Sequence, residues 1–121
     1  MKAPSLAGSA WPLELVFKKT ARVLTVAFED GAVFDIAFEL LRVESPSAQV
    51  QGHSAADKVI VIGKGEVSII RAEPVGRYAI RLVFDDGHDT GLYTWDWLYR
   101  LGRDQVELMH TYRAAALPHP K

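Results

Sequence analysis

The stretch Val23-Leu24-Thr25-Val26-Ala27-Phe28-Glu29-Asp30-Gly31-Ala32-Val33-Phe34-Asp35-Ile36 decides how this chain is read. Its first six residues are aliphatic, β-branched or aromatic, as on a strand buried on one face. Asp30-Gly31 then marks a tight turn, because glycine takes a positive φ at no steric cost. Val33 to Ile36 continues the strand pattern, so the segment predicts a β-hairpin. Phe38-Glu39-Leu40-Leu41-Arg42-Val43 has helical spacing and should stop at Ser45-Pro46, since the residue before a proline disfavours the α region.

The same arrangement returns 56 positions later. Leu24 falls on Ile80, Val26 on Leu82, Phe28 on Phe84, Asp30-Gly31 on Asp86-Gly87, and Ile36 on Leu92. After one inserted residue, Phe38-Glu39 matches Trp95-Asp96 and Leu41 matches Leu98. Glu39 and Asp96 each fall in a first helical turn, where a carboxylate favours the positive end of the helix dipole. The chain therefore reads as two hairpin-then-short-helix units whose antiparallel sheets share one core. The expected class is α+β, mainly β, closed by a C-terminal helix. The copies diverge after the turn: Ala32 in the first is His88 in the second, and Ser45-Pro46-Ser47 follows only the first helix.

Leu13, Leu15 and Phe17 alternate with Glu14, Val16 and Lys18 and predict a half-buried strand before the first hairpin. Further strands are expected over residues 59–62, 67–72 and 78–84, with Leu92-Tyr93 ending the second return strand. A short helix over 95–101 should be capped by Gly102. A last helix over 104–115 would place Val106, Met109, Tyr112 and Arg113 on one stripe. Residues 44–57 are the longest irregular stretch, and such loops are often functional. One domain over 13–116 is expected, with a flexible leader over 1–12 and a flexible, proline-containing tail over 117–121.

A length of 121 residues suits one domain with an unstapled core, and 49% hydrophobic with 24% charged residues is ordinary for a globular chain. The net charge of −1 argues against nucleic-acid binding driven by bulk charge. There is no cysteine, which removes disulfides, thiolate nucleophiles and cysteine-based zinc or iron–sulfur ligation from this chain. Met1 to Ala10 lacks the apolar run of a signal peptide, and no stretch approaches the roughly 18 apolar residues of a membrane helix. A cytoplasmic location is the expectation.

Candidate chemistry gathers at Asp85, Asp86, His88 and Asp89, with His53 and Ser54 in the long loop. A histidine flanked by carboxylates serves as a metal ligand, as a general base, or as a plain turn residue beside ordinary Asp-Asp-Gly turn chemistry. His110 and His119 read as surface residues. No G-x-S-x-G, Walker A or H-E-x-x-H motif is present, and Gly63-Lys64-Gly65-Glu66 reads as a turn rather than a phosphate loop. Tyr93, Trp95, Trp97 and Tyr99 line a strand-to-helix junction and read mostly as core, with an edge left for a partner.

The segments 41–53, 73–81 and 84–98 resemble the gamma-butyrobetaine hydroxylase-like N-terminal domain, also called DUF971. The most specific string is Asp85-Asp86-Gly87-His88 followed by Gly91-Leu92-Tyr93-Thr94-Trp95-Asp96. In the hydroxylases this domain precedes an iron- and 2-oxoglutarate-dependent catalytic domain, for which 121 residues leave no room. It is also found fused to P-loop iron–sulfur cluster carriers. The resemblance further implies a structural zinc held by Cys-x-Cys-x-x-Cys and one histidine. Those positions fall on Ser45, Ser47, Val50 and His88, so only the histidine is kept.

Three readings follow. The first is a stand-alone, non-catalytic binding module for a protein partner, linked to metal or iron–sulfur protein maturation, with Ser45, Ser47, His53, His88, Tyr93 and Trp95 as its partner site. The second is a metal-binding domain that holds a divalent zinc or iron ion through His88, His53, Asp86 and Asp89. The third is a small enzyme with His88 as base and Asp86 or Asp89 as its orienter, which no accompanying nucleophile motif supports. Neither a nucleic acid nor a membrane is expected as partner.

Overall fold

The computed structural model describes residues 10–116; the first nine residues and the last five, which include His119, lie outside them. The element order is β1 (Pro12–Lys18), β2 (Val23–Phe28), β3 (Val33–Ala37), α1 (Phe38–Val43), α2 (Ala48–Gln51), a single 3-10 turn (Ala55–Asp57), β4 (Ile69–Val75), β5 (Ala79–Phe84), β6 (Leu92–Thr94), α3 (Trp95–Arg103) and α4 (Gln105–Ala116). Two antiparallel three-stranded sheets form, β1-β2-β3 and β4-β5-β6. Leu24, Val26, Phe28 and Ile36 of the first sheet and Ile80, Leu82, Phe84 and Tyr93 of the second enter one buried cluster with Phe38, Leu41, Leu98 and Leu101 of the helices. The α+β fold of two similar units with a C-terminal helix is thus as the repeat requires, although helix takes about as many residues as strand.

The two turns are built alike. Gly31 N–H donates to the Phe28 carbonyl at 3.0 Å and Gly87 N–H to that of Phe84 at 3.1 Å. The Asp30 carboxylate accepts from Ala32 N at 2.9 Å, and Asp86 accepts from His88 N at 3.0 Å. Gly31 and Gly87 have φ of 95° and 93°, which only glycine adopts without strain. The repeat also extends to strands with no sequence likeness. The β1 and β4 strands lie 57 positions apart, each with a register shift against its neighbour, at Pro12/Glu14 and at Ile69/Arg71.

One expected correspondence is corrected. Ile36 pairs with Leu24 and Tyr93 pairs with Ile80, so Ile36 matches buried Tyr93, not exposed Leu92. The extra residue of the second unit therefore lies between turn and return strand, in the segment His88-Asp89-Thr90-Gly91. Thr90 and Gly91 stand where the first unit has Val33 and Phe34, and they have left the ladder.

Other differences have local causes. Residues 59–62 join no sheet: Val59 N–H donates to the Val50 carbonyl at 2.7 Å, and the Val61 carbonyl accepts from Tyr112 Oη at 2.7 Å. The backbone is satisfied by a loop and a side chain instead of a ladder. The long irregular stretch contains α2, capped by Ser47, which accepts from Gln49 N at 3.2 Å. On α4 the buried stripe is Met109 and Tyr112, with Leu108 half-buried, whereas Val106 is 86% exposed and Arg113 is exposed. Pro12 begins β1 and Ala10 N–H donates to Asp96 Oδ1 at 2.7 Å, so the end of the expected leader is tied to the first turn of α3. Among the described residues no helix is long and apolar enough to cross a membrane.

Gly102 does not cap α3. It lies inside the helix, which runs on to Arg103 and ends at Asp104. Its use is a close approach, since a Cβ there would sit 2.4 Å from Cγ of Phe34. Replacing a helix-interior glycine by alanine ordinarily stabilises by about 1 kcal/mol. Here Gly102→Ala is expected to destabilise by about 1–3 kcal/mol, because an aromatic ring must shift in a packed junction. Urea unfolding of the variant beside wild type checks the sign.

Candidate functional site

The residues singled out from the sequence divide into a buried group and an exposed remainder. His88, Ser45, Ser47 and Tyr93 are buried, His53 is exposed, and Trp95 is half-buried. The buried group meets where the loop after α1 crosses the segment after the second turn. His88 Nε2 lies 2.8 Å from Ser45 Oγ. Ser45 Oγ also accepts from Ser47 N at 3.3 Å. Ser47 Oγ and Thr90 Oγ1 share a 2.7 Å hydrogen bond, and Thr90 donates to Gln49 Oε1 at 3.3 Å. Tyr93 Oη donates to the Leu41 carbonyl at 2.5 Å. Gly91 allows this crossing, because a Cβ there would lie 2.4 Å from Ser45 Oγ.

Asp86 anchors the other side of the turn. Its Oδ2 accepts from Arg42 Nε at 2.8 Å and from Lys64 Nζ at 2.6 Å. Its side chain is 18% exposed although the turn backbone is open. Burial alone would raise its pKa. The hydrogen bonds from Lys64, the His88 backbone and Arg42 outweigh that and hold the carboxyl well below the usual range. Asp89 instead faces Arg81, whose Nη1 lies 3.4 Å from Asp89 Oδ2 and donates to the Asp89 carbonyl at 3.0 Å. Ser54 donates to Asp57 at 3.1 Å, a local turn contact, whereas Asp85 accepts from Ser68 N at 3.1 Å and so ties the second turn to the residue ahead of β4.

The His88 imidazole is pushed toward its neutral form, first by burial and then by the positive charge of Arg42; Lys64 adds to this, and Asp86 and Asp89 oppose it. A neutral imidazole and a hydroxyl suit one another in either tautomer, since each can donate or accept. Burial also raises the Tyr93 phenol beyond its ordinary range.

The arrangement brings His88 to Ser45 and not to His53. Among the described residues no three His, Asp or Glu side chains gather where they could hold a metal ion. Ser45 and His88 stand at the distance of a nucleophile and its base, but Ser45 has no exposed surface. Asp86, the candidate orienter, gives its carboxylate to two cations and to the backbone N–H of His88 rather than to the ring. Sequence reading missed Arg42, Lys64, Gln49, Thr90 and Gly91. The available signal was the extra residue at 88–91, once it is placed ahead of the return strand.

The aromatic junction is core with its polar tips satisfied. Trp95 Nε1 donates to the Arg77 carbonyl at 2.7 Å, Trp97 Nε1 to that of Glu44 at 3.0 Å, and Tyr99 Oη to Asp30 Oδ2 at 2.7 Å. The last contact has a counterpart. Arg42 and Tyr99 occupy equivalent places in the two helices, as Asp30 and Asp86 do in the two turns. Each helix therefore reaches the turn aspartate of the other unit.

A family profile described as gamma-butyrobetaine hydroxylase-like, N-terminal, matches residues 15–99. A protein of unknown function from Acidithiobacillus ferrooxidans, assigned to the DUF971 family and solved by crystallography, is 43% identical, with a TM-score of 0.63 over 75% of this chain and 91% of its own. Two NMR solution structures are similarly close. One is 41% identical with a TM-score of 0.76 over 88% of this chain and 84% of its own. The other is 40% identical with a TM-score of 0.77 over 99% of this chain and 100% of its own. No curated protein matches this chain.

The depressed His88 pKa fixes a pH dependence. An unfolded histidine takes up its proton near pH 6.5, before the folded one does. Stability that rests on neutral His88 is therefore intact above about pH 6.5 and falls as the pH drops from there toward the folded value. The slope cannot exceed about 1.4 kcal/mol per pH unit for one proton. Denaturant unfolding between roughly pH 5 and 7.5 should show it, and His88→Gln should flatten it. The carboxylates with lowered pKa act only at lower pH. Separately, Asp86→Asn is expected to cost about 2–3 kcal/mol at neutral pH, because it leaves Arg42 and Lys64 without their shared acceptor.

Proposed function

This chain belongs to the gamma-butyrobetaine hydroxylase-like N-terminal (DUF971) family, whose function is not known, and on that premise we propose that it is a stand-alone, non-catalytic binding module for a protein partner. The observation that carries this reading is the stretch 58–62, which lies outside both sheets and turns apolar side chains outward. Val59 is 48% exposed, Ile60 44% and Ile62 62%. Apolar side chains clustered this way on a soluble surface favour an interaction role. Beside them lies a cleft of about 80 Å3 against α4, lined by Val61, Leu108, Tyr112 and Ala115, with the Glu44–Lys58 ion pair at its edge.

The non-catalytic part of the reading rests on how the titratable groups are used. His88 is committed to Ser45, Asp86 to Arg42 and Lys64, and Asp89 to Arg81, so none is left poised at an open cleft. Ser45, Ser47, His88 and Tyr93 are buried, so within the expected partner site it is His53 and Trp95 that keep exposed surface. A role beside metal or iron–sulfur protein maturation is the finer form of the proposal; its support is the company that related domains keep in fused chains.

Affinity capture with wild type and with Ile60→Glu/Ile62→Glu, both first shown to be folded by circular dichroism, tests the surface. Wild type should enrich a reproducible set of proteins that the double variant loses. Identical sets would remove the 58–62 stretch as the partner site.

A further inference from the structure

The junction between Ser45-Pro46-Ser47 and His88-Asp89-Thr90-Gly91 joins the helix end of one unit to the hairpin of the other. The other helix–hairpin junction does the same thing with different chemistry. There Gly102 stands at the place equivalent to Ser45, and Phe34 at the place equivalent to Gly91. The Phe34 ring fills that junction against Gly102, with Tyr99 and Phe28 around it at 5.2 Å and 6.0 Å between ring centroids. Each junction sets a glycine against a facing side chain, Gly91 against Ser45 and Gly102 against Phe34, with the assignment reversed. One is closed by aromatic packing, the other by hydroxyls and an imidazole.

The resemblance to domains with a cysteine-rich zinc site implies a metal at the polar junction, and the residues present do not fit one. Ser45 and Ser47 offer neutral hydroxyls, and Val50, 2% exposed, offers no donor. A structural zinc wants four nitrogen or sulfur donors, thiolates above all. The one retained donor, His88 Nε2, is already held by Ser45 at 2.8 Å. Arg42 and Lys64 lie close by on Asp86, and their charge disfavours a dication.

We propose that the Ser45–His88 and Ser47–Thr90 hydrogen bonds form a metal-independent cross-link between the two units. Nothing in this depends on the partner surface at 58–62. The bonds bring Ser45 to the His88 imidazole and Ser47 to Thr90 with no ion between them.

The experiment uses the full chain, purified without a histidine tag. For wild type, elemental analysis is expected to find far less than one equivalent of zinc or iron, and the melting temperature should be the same with and without EDTA. For Ser45→Ala, the melting temperature should fall by several degrees, on the order of 4–8 °C for each kcal/mol lost, and by the same amount with and without EDTA. Wild type that binds one equivalent of zinc and melts earlier in EDTA overturns the metal-independent cross-link. A Ser45→Ala variant that melts with wild type also overturns it.

Discussion

Each unit's helix is held by the other unit's turn, and the rest of the architecture depends on that exchange. Arg42 of α1 bonds Asp86 of the second turn at 2.8 Å, and Tyr99 of α3 bonds Asp30 of the first at 2.7 Å. Each aspartate uses its second oxygen to fix its own turn, by accepting from the residue after the glycine. A carboxylate with two oxygens can close its loop and bind a neighbour at once, which a hydroxyl or a single amide does less well. A contact in which equivalent positions meet reciprocally is the pattern of a symmetric dimer interface, here inside one chain. Each three-stranded sheet has one apolar face that must be buried against a second layer. The exchange registers the two sheets on a common core while leaving the outer faces free.

Symmetry is broken in one place, and that place holds the histidine. The single extra residue after the second turn lifts Thr90 and Gly91 off the sheet and shortens β6 to Leu92–Thr94. Off the sheet, this segment lies against the loop after α1. Thr90 finds Ser47 and Gln49, and the His88 ring finds Ser45. In the first unit the ladder continues through Val33 and Phe34, so the corresponding space is filled by an aromatic ring and no polar pocket forms. The candidate site is thus a consequence of one insertion rather than of a catalytic motif.

The hairpins were legible because their signal is local: an Asp-Gly turn between apolar runs needs no knowledge of the rest of the chain. The equivalence of β1 and β4 was not, since PLELVFK and IIRAEPV share a backbone path and a register shift but no residue pattern. Gly102 was misread for a related reason. A glycine near a helix end suggests a cap, yet its role is set by Phe34, distant in sequence. The apolar run at 59–62 has strong strand propensity, but no strand lies beside it and α4 takes one of its carbonyls, so tertiary context overrides the local preference. At the site, His88 and the loop serines could be picked out one by one. That His88 meets Ser45 rather than His53 depends on where the inserted residue falls, and the repeat read at one residue's error concealed it.

The polarity of the junction follows from its charges. Arg42 is drawn in by Asp86, and its Nη1 is buried with no hydrogen-bond partner among the described residues. Such a donor keeps a positive field on the imidazole beside it, which favours the neutral ring. A neutral ring makes a good partner for a buried hydroxyl, whereas an imidazolium there would add a third cation to Arg42 and Lys64 around one carboxylate. Hydroxyls add no charge to this cationic corner, so the arrangement that adds no unpaired buried charge is serine on neutral histidine.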